Sequence, residues 1–458
     1  MSVLIFDSFL TSTEMIDVFD DAPVIQAMLA FEEALARAQA DEGIIPVAAA
    51  AAIARHCKAS HYDINAIVLA SRPAGSMAIP LVKALTKAVA DTDAEAASHV
   101  HWGSTSQDVI DTAMVLVTRD ALALIDAELQ ALITRLLHLG ETHLPTPVLA
   151  RTLMQPAQVT RLGFKLAGWA APLVRARTQL KDIAARALQL QLGGAVGTLA
   201  VMGDKGPAVV KRVASSLNLK APDATWHTQR DEWVRLGLEI AVLVGSLGKI
   251  AADLSLMAQG EIAELAEPSG QGRGGSTAMP HKRNPVSSMI ALAAAGRTPQ
   301  RAAALLASMG QQHERGLGNW QAELAEWPGL FLSAHGALRA LREAMDGLHI
   351  DSARMRHNID ALQGLVFAEA VSIYLASVIG RPRAHHLMEE LTRQAVANQQ
   401  SLYDVVSHTV QTEQDLRQAI DMPTLQALFD PVAASASAAA LAQDQLAALR
   451  AAVSPAQD

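Results

Sequence analysis

The sequence predicts an all-α protein of three helical domains, and three observations carry that prediction. Its 458 residues are 50% hydrophobic but only 4% aromatic, an alanine- and leucine-rich balance that favours packed helices over sheet. The apolar positions 236, 240, 243, 247, 250, 254 and 257 step alternately by four and three, which is the seam of a left-handed helical bundle. Finally, glycine- and proline-rich stretches at 72–75, 191–202 and 269–286 punctuate long helical patterns.

Residues 1–97 read as an N-terminal helical domain. Val24–Glu42 carries Ile25, Met28, Leu29, Leu35 and Ala36 on one helical face, with Gly43 past its end and Pro46 opening the next segment. Arg72-Pro73-Ala74-Gly75 marks a turn before a helix over Leu81–Ala90. Residues 98–344 form the central domain. In it a helix capped by Ser106 or Asp108 runs on to about Gly140, and Trp233–Leu265 spans about 50 Å as a helix. A third helix follows over Val286–Met309. Residues 345–458 form the C-terminal domain, where Asp351–Val378 is amphipathic and Gly380-Arg381-Pro382 stops it.

Composition narrows the partners. A net charge of −9 excludes a polyanion as a ligand, because nucleic acid needs a basic face. The single cysteine, Cys57, rules out an internal disulfide and suits a reducing compartment. No secretory leader is apparent, and the most apolar run, Leu236–Gly248, carries Glu239 and is followed by Lys249. A soluble, cytoplasmic protein with no membrane partner is expected.

Chemistry concentrates in Ser269–Val286, SGQGRGGSTAMPHKRNPV, between two strong helical patterns. Pro280 and Pro285 deny it a helix, and its glycines allow unusual backbone angles. A long loop of this kind inside a compact domain is usually functional. Gly270, Gly272 and Gly275 match the dinucleotide fingerprint by letter, but the segment before them is helical rather than a strand, so no nucleotide cofactor is expected. A second stretch, His99–Thr112, breaks at Gly103 and Ser104, then starts a helix whose free N–H groups place Thr105 and Ser106 where a carboxylate would bind. His99-x-His101 and His385-His386 lack a companion ligand set, so no metal is expected. Gln191–Met202 is a glycine-rich connection without a phosphate-binding Lys-Ser pair. In Gln311–Glu326, Arg315 falls on a bend before Gly316 and Gly318.

Gly275-Ser276-Thr277-Ala278-Met279-Pro280-His281-Lys282-Arg283-Asn284-Pro285 resembles the signature of the fumarase/aspartase superfamily, usually written GSSxMPxKxNP. His101 through Thr112 fits that family's first region, HxGxTSxDxxDT. Thr152, Gln155 and Ala157 match the second, although Leu153 stands where several branches carry a histidine. The resemblance implies an all-α homotetramer with a central long-helix bundle and active sites shared between subunits. It also implies chemistry in which a proton α to a carboxylate moves while a β bond breaks or forms.

Further likeness, in HWGSTSQDVIDTA, QLGGAVGTLA and ERGLGNWQAE, is to the branch that cyclises an unsaturated polycarboxylate by internal carboxylate addition. Leu153 is compatible with that chemistry. A carboxylate nucleophile is already ionised at neutral pH, so only the proton to carbon needs a donor. The resemblance implies Ser276 in that role, with Lys282 and His281 lowering its pKa, and His101 orienting the cluster or pairing with a carboxylate. It also implies that Lys282, Asn284, Thr105, Ser106, Gln155 and Arg315 hold the substrate's carboxylates. Three rivals stand beside this reading: a sulfonated analogue as substrate, a C–N lyase of the adenylosuccinate or argininosuccinate type, and a non-catalytic protein. Leu153 then marks either a degenerate lyase site or a branch needing one proton-transfer group fewer.

Overall fold

The computed structural model describes residues 5–453 apart from 271, 272, 277 and 280. Its architecture is helical. The elements used below are α1 (Asp21–Asp41), α2 (Val47–His56), α3 (Ser106–Thr142), β1 (Pro147–Thr152), β2 (Gln155–Arg161), α4 (Leu162–Ala187), α5 (Asp231–Met257), α6 (Val286–Ser308), α7 (Asn319–Asp346), α8 (Ser352–Asp360), α9 (Ala368–Ile379) and α10 (Arg381–Asn398). The chain forms two compact units. One comprises Met1–Leu129, Arg175–Gly248 and Ile290–Ala340; the other comprises Gln130–Val174, Lys249–Met289 and Leu341–Asp458.

The bundle seam read from the sequence is a buried seam in α5: Leu236, Ile240, Leu243, Leu247, Ile250, Leu254 and Met257 are all buried. Each contributes about 1.5–3 kcal/mol by leaving water. α5 is also long and apolar enough to cross a bilayer by length and composition, which the shorter run Leu236–Gly248 did not suggest. Half of its most apolar window is nevertheless buried inside the protein.

In the first unit five aromatic residues form a contiguous row. Trp233 stacks on Trp327 with centroids 3.9 Å apart, and Trp226, Phe331 and Phe19 extend the row. Trp327 Nε1 donates to Thr118 Oγ1 at 2.8 Å, so the buried indole leaves no polar group unsatisfied. Gly237 lets the helix pack closely here: a Cβ would lie 2.6 Å from the Leu305 side chain and 3.0 Å from the Trp327 ring.

In the second unit β1 and β2 pair antiparallel, a hairpin that helical periodicity had not indicated. Leu149 and Val159 turn inward onto Ile359 and Phe367. Arg161 is buried and donates to the carbonyls of Val432 and Ser435, 2.7 and 3.4 Å away, which gives the chain after Asp430 an anchor.

Three helix boundaries differ from expectation. α5 ends at Met257 rather than Leu265, and Leu265–Ala266 instead pairs with His349–Ile350. Asp351–Val378 is two helices, α8 and α9, because Gln363 and Gly364 take positive φ of 49° and 85° between them. Pro73 lies in the last turn of a helix, Ile64–Ala74, whose end is set by Gly75 in the left-handed conformation. Leu243→Ala should lower the stability of the protein by about 2–5 kcal/mol through the cavity it leaves. Urea unfolding of the variant beside the parent protein checks this, and an unchanged midpoint contradicts it.

Candidate active site

Apart from Gln155, the candidate residues fall into two groups, each built inside one unit. The first lies at the head of α3. Its first two turns carry Gln107, Asp108, Asp111 and Thr112, all buried although polar, so each must find partners inside the protein. Asp108 finds five. Its Oδ1 accepts from Gly193 N at 3.0 Å and His227 Nε2 at 2.7 Å. Its Oδ2 accepts from Gly194 N at 2.9 Å, Thr105 N at 3.1 Å and Ser104 Oγ at 3.4 Å.

The bond to Thr105 N is the reach-back half of a capping box. Those to Gly193 and Gly194 explain the glycine-rich connection as a main-chain cradle for an internal carboxylate. Gly194 has φ 72°, and a Cβ there would come 2.8 Å from the carbonyl oxygen of Gly103.

One turn further, Asp111 accepts from Arg230, Trp320 Nε1, Gln107 and Gln191. Arg230 is itself fully buried, bonds Glu323 as well, and lies 4.4 Å over the Trp226 ring. Burial works against its charge, but Asp111 and Glu323 outweigh it and hold the guanidinium protonated more firmly than usual. Burial lifts the Glu323 carboxyl above the usual range, with Arg230 opposing.

Around this framework, His101 places Nδ1 2.5 Å from Glu32 Oε1 of α1. Burial alone would lower its pKa, but the charge and hydrogen bond of Glu32, aided by Asp108, raise it above the ordinary 6.5. The hydroxyls of Thr105 and Ser106 are half-buried and make no hydrogen bond to any described residue. Arg315 lies on a bend, as expected. Its guanidinium, however, donates to the carbonyls of Gly194 and Ala195 at 2.9–3.1 Å, and its Nη1 approaches Gln107 at 3.5 Å. In this chain it straps the 311–318 segment onto the glycine-rich connection.

The second group is the signature loop. Gly274 has φ 68° and accepts from Asn284 N at 2.8 Å, while a Cβ there would strike the Asn284 carbonyl at 2.7 Å. That close approach folds the loop back on itself. Inside it Ser276 Oγ accepts from Met279 N at 3.1 Å and Ala278 N at 3.4 Å. Asn284 Nδ2 reaches Gly275 O at 3.4 Å, and His281 and Lys282 are exposed. Gly272, Thr277 and Pro280 of the motif lie outside the described residues.

The base of the loop is anchored on both sides. Glu267 accepts from Ser287 N, Ser288 N and Ser288 Oγ at 2.7–2.8 Å, capping α6. Arg273 donates to Ser287 Oγ at 2.6 Å and Glu343 at 3.2 Å.

Gln155 opens β2 opposite Thr152, so these two sequence-matched residues flank a two-residue turn. Leu153 and Met154 form that turn with φ of 49° and 67°, and Leu153 is 96% exposed. In this chain Leu153 is therefore the exposed tip of a hairpin. Among the described residues no group of three or more His, Cys, Asp or Glu is placed to hold a metal. Cys57 is buried, and burial pushes its thiol up, which makes it a poor nucleophile.

A family profile described as a lyase matches residues 10–299. The chain belongs to this lyase family, in the fumarase/aspartase superfamily. It is 48% identical to a 3-carboxy-cis,cis-muconate cycloisomerase of Bradyrhizobium diazoefficiens, covering 93% of each chain. It is 45% identical to the Pseudomonas putida protein of the same name, over 91% of this chain and 99% of the relative. The crystal structure of 3-carboxy-cis,cis-muconate lactonizing enzyme from Pseudomonas putida superposes with a TM-score of 0.92 at 42% identity, covering 98% of this chain and all of that one.

Sequence reasoning missed His227, Arg230, Glu323 and Glu32, and treated Asp108 only as a cap. The polar pattern at 107, 108, 111 and 112, one face of a helix otherwise bound for the core, was the available signal. Asp108→Ala should cost on the order of 3–5 kcal/mol, because it strands a buried histidine and three main-chain donors. Denaturant unfolding reads this, and a variant as stable as the parent would contradict the assignment.

Proposed function

We propose that the protein is a cycloisomerase that converts 3-carboxy-cis,cis-muconate into 4-carboxymuconolactone. The observation that carries the substrate is the 45–48% identity, over more than nine-tenths of the chain, to relatives bearing that activity's name. The main-chain N–H pair at Ser276 supports the mechanism. One carboxylate of the substrate adds to a C=C carbon. The electron pair moves onto the neighbouring carboxylate as an aci-carboxylate, and the proton of Ser276 Oγ then passes to the carbon α to it. The serine alkoxide that remains is held by the N–H groups of Met279 and Ala278, which are already directed at that oxygen, and is reprotonated from water.

A trianionic substrate needs cations and donors. Lys282, His281, Asn284 and Gln155, together with the free hydroxyls of Thr105 and Ser106, are assigned to its carboxylates, and His101 to one more. Arg315 contributes by strapping the 311–318 segment, since its donors are engaged by Gly194 and Ala195. No metal or organic cofactor has a step in this scheme.

We further propose a homotetramer with sites shared between copies. On α6 the positions 289, 292, 296, 299, 303 and 306 alternate by three and four, as a bundle seam does. Every one is exposed, Met289 and Leu306 by half. An apolar stripe of this length calls for a partner helix. Light scattering at micromolar concentration should give about four times the chain mass, and a monomer would contradict it.

Ultraviolet loss of the diene on mixing protein with 3-carboxymuconate tests the activity, run beside a sulfonated muconate, adenylosuccinate and argininosuccinate. Turnover of either succinate alone would replace this reading. Ser276→Ala should cut kcat by about 10²–10⁴-fold with little change in binding. Lys282→Met should damage both, since a cation facing a trianion acts in ground and transition states alike. Leu153→His should release no fumarate from either succinate.

A further inference from the structure

Glu32 has no part in the scheme above, yet it is among the most deeply buried charged side chains in the first unit, 1% exposed in the middle of α1. A carboxylate in that position is costly unless it is paired. Among the described residues its one side-chain hydrogen bond is to His101 Nδ1, at 2.5 Å. The pair is not needed to hold the segment before α3. Gln39 Nε2 donates to Trp102 O at 2.7 Å, and Asp108 takes Ser104 Oγ and Thr105 N, so the loop is fastened on both sides of His101 without it.

His101 itself takes a left-handed backbone with φ 58°, uncommon for a residue with a Cβ. Its ring keeps 17% exposure, and its Nε2 bonds no described residue. One nitrogen is thus locked inward and the other is left for something from outside.

We propose that Glu32 is a positioning residue: by accepting the Nδ1 proton it orients His101 and keeps the ring charged, so that Nε2–H is presented to a carboxylate of the substrate. This rests on the cycloisomerase reading for the identity of the anion. Nδ1–H bound to a carboxylate fixes the orientation of the ring. A doubly protonated ring then offers a charge-assisted bond through Nε2.

The other titratable groups that reach the pair are Asp108 on α3, with His227 bonded to it, and Cys57 past the end of α2. The Cys57 thiol feels Glu32 and Glu33 and, in the opposite sense, Arg37. Asp108 acts in the same direction as Glu32 and supports the charged ring. Because Glu32 raises the titration of His101, the charged form persists above the ordinary 6.5 and is lost as pH rises through the raised value.

Two measurements test this on the full-length protein. Deuterium exchange at the C2 position of His101, followed against pH by mass spectrometry of its peptide, reads the titration without any substrate. The half-point should lie above 6.5 in the parent protein, fall in Glu32→Gln, and stay raised in Glu32→Asp. The alkaline limb of kcat/KM for 3-carboxymuconate should move down with it, by roughly tenfold in kcat/KM at fixed alkaline pH for each unit. Glu32→Asp should recover most of the loss.

An unchanged half-point in Glu32→Gln overturns the proposal, and so does a half-point that falls while the kcat/KM limb stays in place. If Glu32→Gln does not fold, a parent half-point at or below 6.5 overturns it and one well above supports it. A parent protein that does not turn over carboxymuconate defeats the reading of function instead, and the exchange measurement still decides whether Glu32 governs His101.

Discussion

A buried carboxylate governs the first unit. Asp108, wholly removed from solvent, gathers two main-chain N–H groups of the glycine-rich connection, one from its own helix entrance, a hydroxyl and an imidazole. Leaving such a charge unpaired would cost several kcal/mol, so the connection, the start of α3 and the His227 segment have little freedom relative to one another. The substrate-facing candidates Thr105, Ser106 and His101 inherit their positions from that constraint. Gly193 and Gly194 are small because the carboxylate must come close to their backbone, and any Cβ would intrude on Gly103 or Thr225.

The second unit uses the same device at the signature loop. Glu267 caps α6 and Arg273 bridges to Glu343, so the loop is held at its base while its middle stays open. Within the open part Ser276 Oγ already sits as an acceptor of two main-chain donors. In the proposed mechanism a hydroxyl so placed needs no reorganisation when it becomes negative. Both groups therefore share a geometry: main-chain N–H groups converge on one side-chain oxygen, a carboxylate oxygen in Asp108 and a hydroxyl oxygen in Ser276.

Periodicity was legible wherever burial follows one helical stripe. All seven seam positions of α5 are buried, and the boundaries expected for the first long helix and for α6 fall within a few residues of those observed. It failed where long-range contact overrides local pattern. β1–β2 is a hairpin because Leu149 and Val159 find Ile359 and Phe367, more than 190 residues further along the chain. The Asp351–Val378 pattern is broken by left-handed residues at 363 and 364, which a hydrophobic stripe does not register.

By itself the sequence determined the family and the helical class and marked out the signature loop, since each depends on residue types at short, fixed spacing. The tertiary structure alone decided which polar groups meet. His227 lies 119 positions from Asp108, Arg230 lies 93 from Glu323, and Glu32 lies 69 from His101. No local pattern encodes such a separation, because a buried charge is satisfied by whatever partner folding brings to it. The destination of Arg315 was settled in the same way: a guanidinium on a bend suits a substrate anion or a pair of main-chain carbonyls equally well, and the folded chain supplies the carbonyls of Gly194 and Ala195.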